Sequence, residues 1–344
     1  MKKGDKYGVH RVIEPEGVLP QPAWKIDNTM EIYDNEILVD VQTLNIDSAS
    51  FTQIKEEAGG DVEKIKDRML EIVKERGKHH NPVTGSGGMF IGKVEEIGEA
   101  LKDRDLKVGD RIASLVSLSL TPLRIDRIKE VRKEIDQVDI DGKAILFESG
   151  IYAKLPEDME DTLALAVLDV AGAAAQTARL VRPGDTVLII GAGGKSGLLC
   201  LHEAKKRAGV TGKVIAMGHS DASCNRAREL GLADVVIQGD ATRPLEVLEM
   251  VEEVTNGELA DIVINNVNIP DTEMASILAT RDGGRIYFFS MATSFTKAAL
   301  GAEGVGKDVE MIIGNGYMKG HAEISLEILR ENEKLREIFT RLYT

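Results

Sequence analysis

The sequence predicts an α/β chain in two parts, an antiparallel β-rich domain followed by a doubly wound parallel sheet. Three patterns carry this reading. Residues 186–197 run TVLIIGAGGKSG, a short apolar strand that turns abruptly into glycines and re-enters a helix, LLCLHEAKKRAG. From residue 159 onward the further apolar runs KVIAM, DVVI, DIVIN and RIYFFS are each followed by a helical or turn segment, the alternation that builds a parallel sheet. Residues 36–46, EILVDVQTLNI, instead alternate apolar with polar side chains, as a half-buried antiparallel strand does.

Taken in chain order, the first strand is followed by DVEKIKDRMLEIVKERG, which brings Val62, Ile65, Met69, Ile72 and Val73 onto one helical face and stops at Gly77. FIGKVEEI (90–97) alternates again, and KVGDRIASL (107–115) places a Gly-Asp turn before another strand. IDRIKEVRKEIDQV spaces Ile128, Val131, Ile135 and Val138 as a second amphipathic helix. Both helical stripes read as packing faces. The domain boundary falls at Leu155-Pro156, giving a first domain over 1–155 and a nucleotide-binding domain over 156–309. Residues 310–344, which include EMIIGNGY and one charged amphipathic helix, AEISLEILRENEKLREIF, are expected to return to the first domain.

The glycines at 191–197 state the chemistry most directly. Without a Cβ they let the backbone turn tightly and approach a pyrophosphate, whose charge then sits on the open N–H groups and positive dipole end of the next helix. A strict G-x-G-x-x-G fails, because position 196 is Ser196. Read as G-x-x-G-x-x-G, the turn uses Gly191, Gly194 and Gly197, with Gly193 spare and Lys195 and Ser196 offering side-chain donors to phosphate. The competing reading is a glycine-rich connection in an ordinary α/β domain. Strand, turn and amphipathic helix nevertheless occur in the order a dinucleotide site demands.

Composition bounds the remaining options. The 344 residues are 43% hydrophobic and 29% charged, a globular balance, and only 4% aromatic, so the core is aliphatic. A formal charge of −14 excludes the positive footprint that nucleic acid needs. The only two cysteines, Cys200 and Cys224, offer neither a disulfide framework nor a metal-ligand spacing. The start MKKGDKYGVHR has no apolar leader, and no run approaches the roughly 18 residues of a membrane span, so a cytoplasmic protein is expected.

Cofactor choice turns on the second strand. NAD-specific folds carry an acid at its end, which accepts hydrogen bonds from the ribose hydroxyls. Here KVIAM is followed by Gly218, His219 and Ser220, and Asp221 comes late. His219, Ser220 and Arg226 could tolerate a ribose phosphate, so both NAD and NADP stay open, with a lean toward NADP.

With KVGDRIA, RPGDTVLIIGAGG and the returning terminal segment, the chain resembles the medium-chain dehydrogenase/reductase superfamily over nearly all its length. The resemblance implies a GroES-like catalytic domain joined to a Rossmann domain, the nicotinamide held between them, and a homodimer or larger homo-oligomer. Zinc-dependent members carry a ligand cysteine and a His-Glu pair where this chain reads Asp47-Ser48-Ala49 and TGSGGMF, so it resembles the zinc-free branch and no metal is expected. More closely, TGSGGMFIGKVEEIG, DVAGAAAQTARLVRPGDTVLIIGAGGKSGLLC and IIGNGYMKGHAEISLEILREN resemble the diaminohexanoate dehydrogenase family of lysine fermentation. That implies oxidative deamination of the 3-amino group of L-erythro-3,5-diaminohexanoate to 5-amino-3-oxohexanoate, with ammonia and reduced cofactor.

Hydride leaves a carbon bearing nitrogen only from the neutral amine, so a base must take the ammonium proton. Carboxylates suit that grip. Asp47 with Ser48, just after EILVDVQTLNI, and Asp169, before the small-residue helix VAGAAAQTARL, are the candidates; the alternative for either Asp is a helix cap. His321 follows GNGYMKG, beside Asn315 and Tyr317, where it could meet the nicotinamide amide or the substrate carboxylate. Ser290, Asn265, Asn266 and Val267 end parallel strands, where ligands of such folds gather. His79 and His80 lie in a turn-like stretch and are expected at the surface. By charge alone, Lys55, Lys93, Arg124 or Lys319 could hold the substrate carboxylate. Two other functions compete: a zinc-free quinone or enoyl reductase using NADPH, and a nucleotide-binding protein without catalysis.

Overall fold

A computed structural model describes residues 2–314 and 316–344 and divides the chain into two compact units between Leu165 and Ala166. The first unit carries strands β1 (Val12–Glu14), β2 (Lys25–Ile26), β3 (Glu36–Ile46), β4 (Gly88–Ile97), β5 (Arg111–Ser114), β6 (Leu123–Arg132), β7 (Gln137–Phe147) and β8 (Tyr152–Lys154), with helices α1 (Ser48–Glu57) and α2 (Val62–Arg76). Six of these strands form one antiparallel sheet in the order β6-β7-β3-β4-β5-β8. β3 lies inside it, pairing Val39 with Val94 of β4 and Ala144 of β7. Val39, Leu44, Phe90 and Val94 meet Phe51, Ile54, Ile65 and Met69 of the two helices in one buried cluster. Burying apolar surface of this kind contributes about 25 cal/mol per Å². α2 starts where Asp61 accepts from the N–H groups of Glu63 and Lys64, and it stops at Gly77, left-handed at φ 71°.

The helix expected over 125–138 is instead the β6–β7 hairpin, with Val131 opposite Val138 and Arg132 opposite Gln137. Irregularities between Ile125 and Arg127 and between Ile128 and Glu130 each insert a residue, which turns a period-2 strand into something close to helical spacing. The β-branched composition was the better guide.

Helix α3 (Asp161–Leu168) runs across the division. The second unit contains α4 (Ala171–Leu180), β9 (Thr186–Ile190), α5 (Lys195–Ala208), β10 (Lys213–Gly218), α6 (Asp221–Leu230), β11 (Val235–Gln238), α7 (Pro244–Thr255), β12 (Ala260–Asn265), α8 (Glu273–Ala279), β13 (Thr280–Phe288), α9 (Phe295–Val305), β14 (Val309–Ile313), α10 (His321–Glu331) and α11 (Glu333–Tyr343). All six strands are parallel, ordered β11-β10-β9-β12-β13-β14. Val187 to Ile190 are buried, as a strand between two helical layers must be. Connections leave β9 and β12 in opposite directions, so the crevice beyond their carboxyl ends is the switch point where such sheets bind ligands.

The terminal amphipathic pattern is broken at Asn332, whose side chain accepts from Leu335 N–H and starts α11. α10 packs on α4 and α5, and α11 on α6. These helices, expected to return to the first domain, thus lie within the second unit. Among the described residues no single helix is long and apolar enough to cross a membrane.

Candidate active site

The glycine turn ties itself to β10 through main chain, with Gly191 and Ala192 N–H donating to Met217 O at 2.9 and 3.0 Å. Gly191 takes φ 79°, which a side chain disfavours. A Cβ on Gly193 would come within 2.1 Å of Ser223 O, and one on Gly197 within 2.2 Å of Gly191 O. Gly193 is therefore not spare: the start of α6 presses against it. At Gly194, the N-cap of α5, a Cβ would meet only Gly191 O at 3.4 Å. That side is open. No side chain caps α5, so its first N–H groups and its dipole present an anion seat.

The turn opens into a cavity of 270 Å³ bordered by Gly191, Gly194, Gly218, His219, Ser220, Arg226, Asp240, Asn266 and Val267. The residues present fit a nicotinamide dinucleotide on two counts. The glycine cradle leaves the space a pyrophosphate needs, and Asn266 Nδ2 is a buried donor with no protein partner. Cys200 Sγ lies 3.9 Å from Asn266 Oδ1, and burial pushes its thiol up to about 12. At Gly218, where an NAD-specific fold carries an acid, a Cβ would come within 2.6 Å of Ser223 Oγ and 2.7 Å of Cys224 Sγ, so a side chain there requires both to shift. Arg226 stands by, its Nε donating to Gly193 O at 2.7 Å. Ser220 caps α6, accepting from Ser223 N–H, and His219 is exposed. Asp240, which the sequence reading passed over, borders the cavity at the end of β11 with its carboxylate turned onto Thr242. Its position beyond a parallel strand was the available signal.

Several candidates have other partners. Asp169 Oδ2 accepts from Lys195 Nζ at 3.0 Å, which places a cation rather than open space beside it. Ser196 is nearly buried in the first turn of α5. Asn265 is turned away from the cavity, donating to Thr272 Oγ1 and Ser276 Oγ, while its Oδ1 holds Val267 N–H. Ser290 Oγ accepts from Ala292 N–H and donates to Asn268. His321 opens α10, buried and edge-on to Tyr317 at 5.1 Å; burial lowers its pKa. Asn315 lies outside the described residues.

In the first unit Asp47 precedes α1 without capping it through its side chain. Asp47 Oδ2 instead accepts from Gly87 N–H at 2.9 Å, and Asp47 N–H donates to Gly87 O at 3.3 Å. This double clasp joins the end of β3 to the TGSGG loop. Ser48 Oγ donates to Asp136 Oδ2 at 2.7 Å, fastening the β6–β7 turn. Ser50, Thr84 and Ser86 form a chain of hydroxyls at 3.0 Å spacing. Lys93 sits opposite Asp40 inside the sheet, and Arg124 opposite Lys143 on the edge strand β6. Lys55 shares α1 with the Asp47 end, and Lys319 is exposed.

His79 and His80 are buried, contrary to the surface expectation. Burial pushes both down to about 4, and neighbouring Lys78 and Arg76 add to the effect on His80. Both ring nitrogens of His79 lack a hydrogen-bond partner. Around them, Arg76 donates to Trp24 O and His80 O and lies 4.3 Å over the Trp24 ring. Lys78, pushed down to about 7 by burial, donates to Pro20 O and Gln21 O. The segment around residues 20–24 folds over this stretch, which a local reading of the sequence could not see.

Among the described residues one trio has metal-ligand chemistry, His202, Glu203 and Glu331. Its carboxylates are already matched by Arg207 and Lys206.

A glycine turn at the switch point of a Rossmann sheet, in a chain whose other unit is a GroES-like antiparallel sheet, is the fold of the medium-chain dehydrogenases/reductases. Solved structures agree on the fold. An alcohol dehydrogenase, TADH from Thermus sp. ATN1, aligns at TM-score 0.55 and 20% identity over 91% of this chain and 87% of its own. The CurK enoyl reductase aligns at TM-score 0.55 and 18% identity over 92% and 81%. Residues 10–156 match the model of the L-erythro-3,5-diaminohexanoate dehydrogenase N-terminal domain, and residues 196–302 that of a zinc-binding dehydrogenase. The L-erythro-3,5-diaminohexanoate dehydrogenase of Acetoanaerobium sticklandii is 66% identical over 99% of both chains, and that of Fusobacterium nucleatum 62% identical over 100% of both. The chain belongs to the L-erythro-3,5-diaminohexanoate dehydrogenase family. The zinc in the second model's description does not fit the residues here: Asp47-Ser48-Ala49 and TGSGG offer no thiolate or imidazole, and both cysteines are buried in the other unit.

Proposed function

We propose that this protein catalyses the oxidative deamination of L-erythro-3,5-diaminohexanoate, consuming water and an oxidised nicotinamide dinucleotide and releasing 5-amino-3-oxohexanoate, ammonia and the reduced dinucleotide. Full-length identity of 66% and 62% to two relatives of that name carries the reading. The bound dinucleotide supplies the hydride acceptor. Gly191, Gly193, Gly194 and Gly197 form its cradle, with Lys195 and Ser196 at the phosphates and Asn266 donating through its unmatched Nδ2. Asp47 grips the substrate ammonium and takes its proton; the Gly87 clasp holds that carboxylate at the end of β3. Ser48 fastens the Asp136 turn, and Asp169 places Lys195. Because Gly218 carries no acid where a 2′-phosphate would sit and Arg226 and His219 stand nearby, the pocket admits NADPH as well as NADH.

The chain acts as a homo-oligomer on this reading, which the edge strand β14 with Ile313 60% exposed supports and analytical ultracentrifugation would check. The functional test is absorbance at the reduced-nicotinamide band. Growth with 3,5-diaminohexanoate and oxidised cofactor is expected. Loss with an enone and NADPH, in the absence of that growth, would replace the proposal with a reductase, and silence with both would leave a binding protein.

A further inference from the structure

The last helix reaches the phosphate end of the cofactor cradle. α11 is seated by Leu335, Ile338 and Phe339, all fully buried, and Phe339 meets the Tyr343 ring edge-on at 5.0 Å. Arg341 pairs with Glu229 of α6 through two hydrogen bonds, at 3.0 and 2.9 Å. Two residues onward, the Tyr343 ring lies 5.2 Å from Lys195 Nζ, at the first residue of α5. The Tyr343 phenol is raised by burial, while the charges of Lys195 and Arg226 pull the other way, so both cations lie near it. α11 therefore braces two elements together: α6, which carries Arg226 against Gly193 O, and the start of α5, which carries Lys195.

Lys195 is held from two sides, by the Asp169 carboxylate at 3.0 Å and by the aromatic ring. The two holds differ in kind. A carboxylate competes with phosphate for the ammonium, whereas a ring face fixes its position without offering a full counter-charge. We propose that Tyr343 is a positioning residue for the cofactor phosphates, its ring holding the Lys195 ammonium at the mouth of the glycine turn so that α11 sets dinucleotide affinity. This rests on the dinucleotide-dependent reading above.

The test is fluorescence titration of the full chain with NADH and NADPH, using Tyr343→Ala, Tyr343→Phe, Lys195→Met and the double variant Tyr343→Ala/Lys195→Met. Tyr343→Ala is expected to weaken both coenzymes about three- to tenfold, and Tyr343→Phe, which keeps the ring, to stay within about twofold of the parent. In the Lys195→Met background, removal of the ring should add nothing, because the two groups act as one. A thermal melt shows that each variant is folded; if Tyr343→Ala is not, Tyr343→Leu takes its place. Unchanged affinity in the ring-less variant overturns the proposal, and so does an equal loss with and without Lys195, which would mark a general structural effect. If the parent binds neither coenzyme, the functional reading itself fails; if the parent binds and the ring-less variant binds equally, only the role of Tyr343 fails.

Discussion

Each unit gathers polar groups where a strand ends, but the materials differ. Beyond β9 the site is main chain: glycine amides, an uncapped helix start and one unmatched amide on Asn266. Beyond β3 it is side chains: Asp47 clasped to Gly87, a run of hydroxyls, and Arg76, Lys78, His79 and His80 packed beneath the segment near Trp24. A main-chain site is specified by what must be absent, namely a Cβ. A side-chain site is specified by partners distant in sequence, such as Lys78 with Pro20 or Asp47 with Gly87. The first kind tolerates no added volume, and the second tolerates no lost charge.

Substitutions can break that contrast. The largest effect is expected from Gly193→Val, since even its Cβ would sit 2.1 Å from Ser223 O. Dinucleotide affinity should fall by about a hundredfold or more in a fluorescence titration. Retained affinity would show that α6 moves aside and that the cradle is softer than its geometry. Next comes Asp47→Asn, which keeps volume and removes the base. Steady-state kcat should drop by about two to three orders of magnitude while coenzyme Kd hardly changes; a drop confined to Kd would move Asp47 out of the chemistry. Ser48→Ala is the matched control.

The smallest effect sharpens the comparison through pH. His79 and His80 are held near 4 in the fold against an ordinary value near 6.5. Between those values the unfolded chain takes up protons that the folded chain refuses, so stability present above pH 6.5 is lost as pH falls toward 4. Calorimetry should show Tm falling by about 5 °C over that window beyond the general acid trend, and His79→Leu should recover part of it. An identical slope in that variant would mean that His79 is protonated while buried.

The same contrast explains what was legible in the sequence. The β9 strand, its glycines and the following helix could be read locally because each requirement acts within a dozen residues. One glycine role is not local: Gly193 is constrained by Ser223, thirty positions away. The β6–β7 hairpin carries a helical spacing in the sequence because inserted residues disguise its period. The burial of His79 and His80 is illegible locally because nothing nearby announces that residues 20–24 close over them. Tyr343 carried no signal at all, since its neighbour Lys195 lies far up the chain. The pairing of Asp169 with Lys195 depends on how α4 and α5 pack, which no local pattern announces.

Cys200 and Cys224 are both fully enclosed, and burial keeps the Cys200 thiol protonated. Sulfhydryl reagents act on exposed thiolate, so the native chain is silent to them. A single cysteine introduced at Val83, 67% exposed on the loop between Asn81 and Gly87, would therefore carry a maleimide dye alone. That dye would report on the neighbourhood of the Asp47 clasp against an unlabelled background.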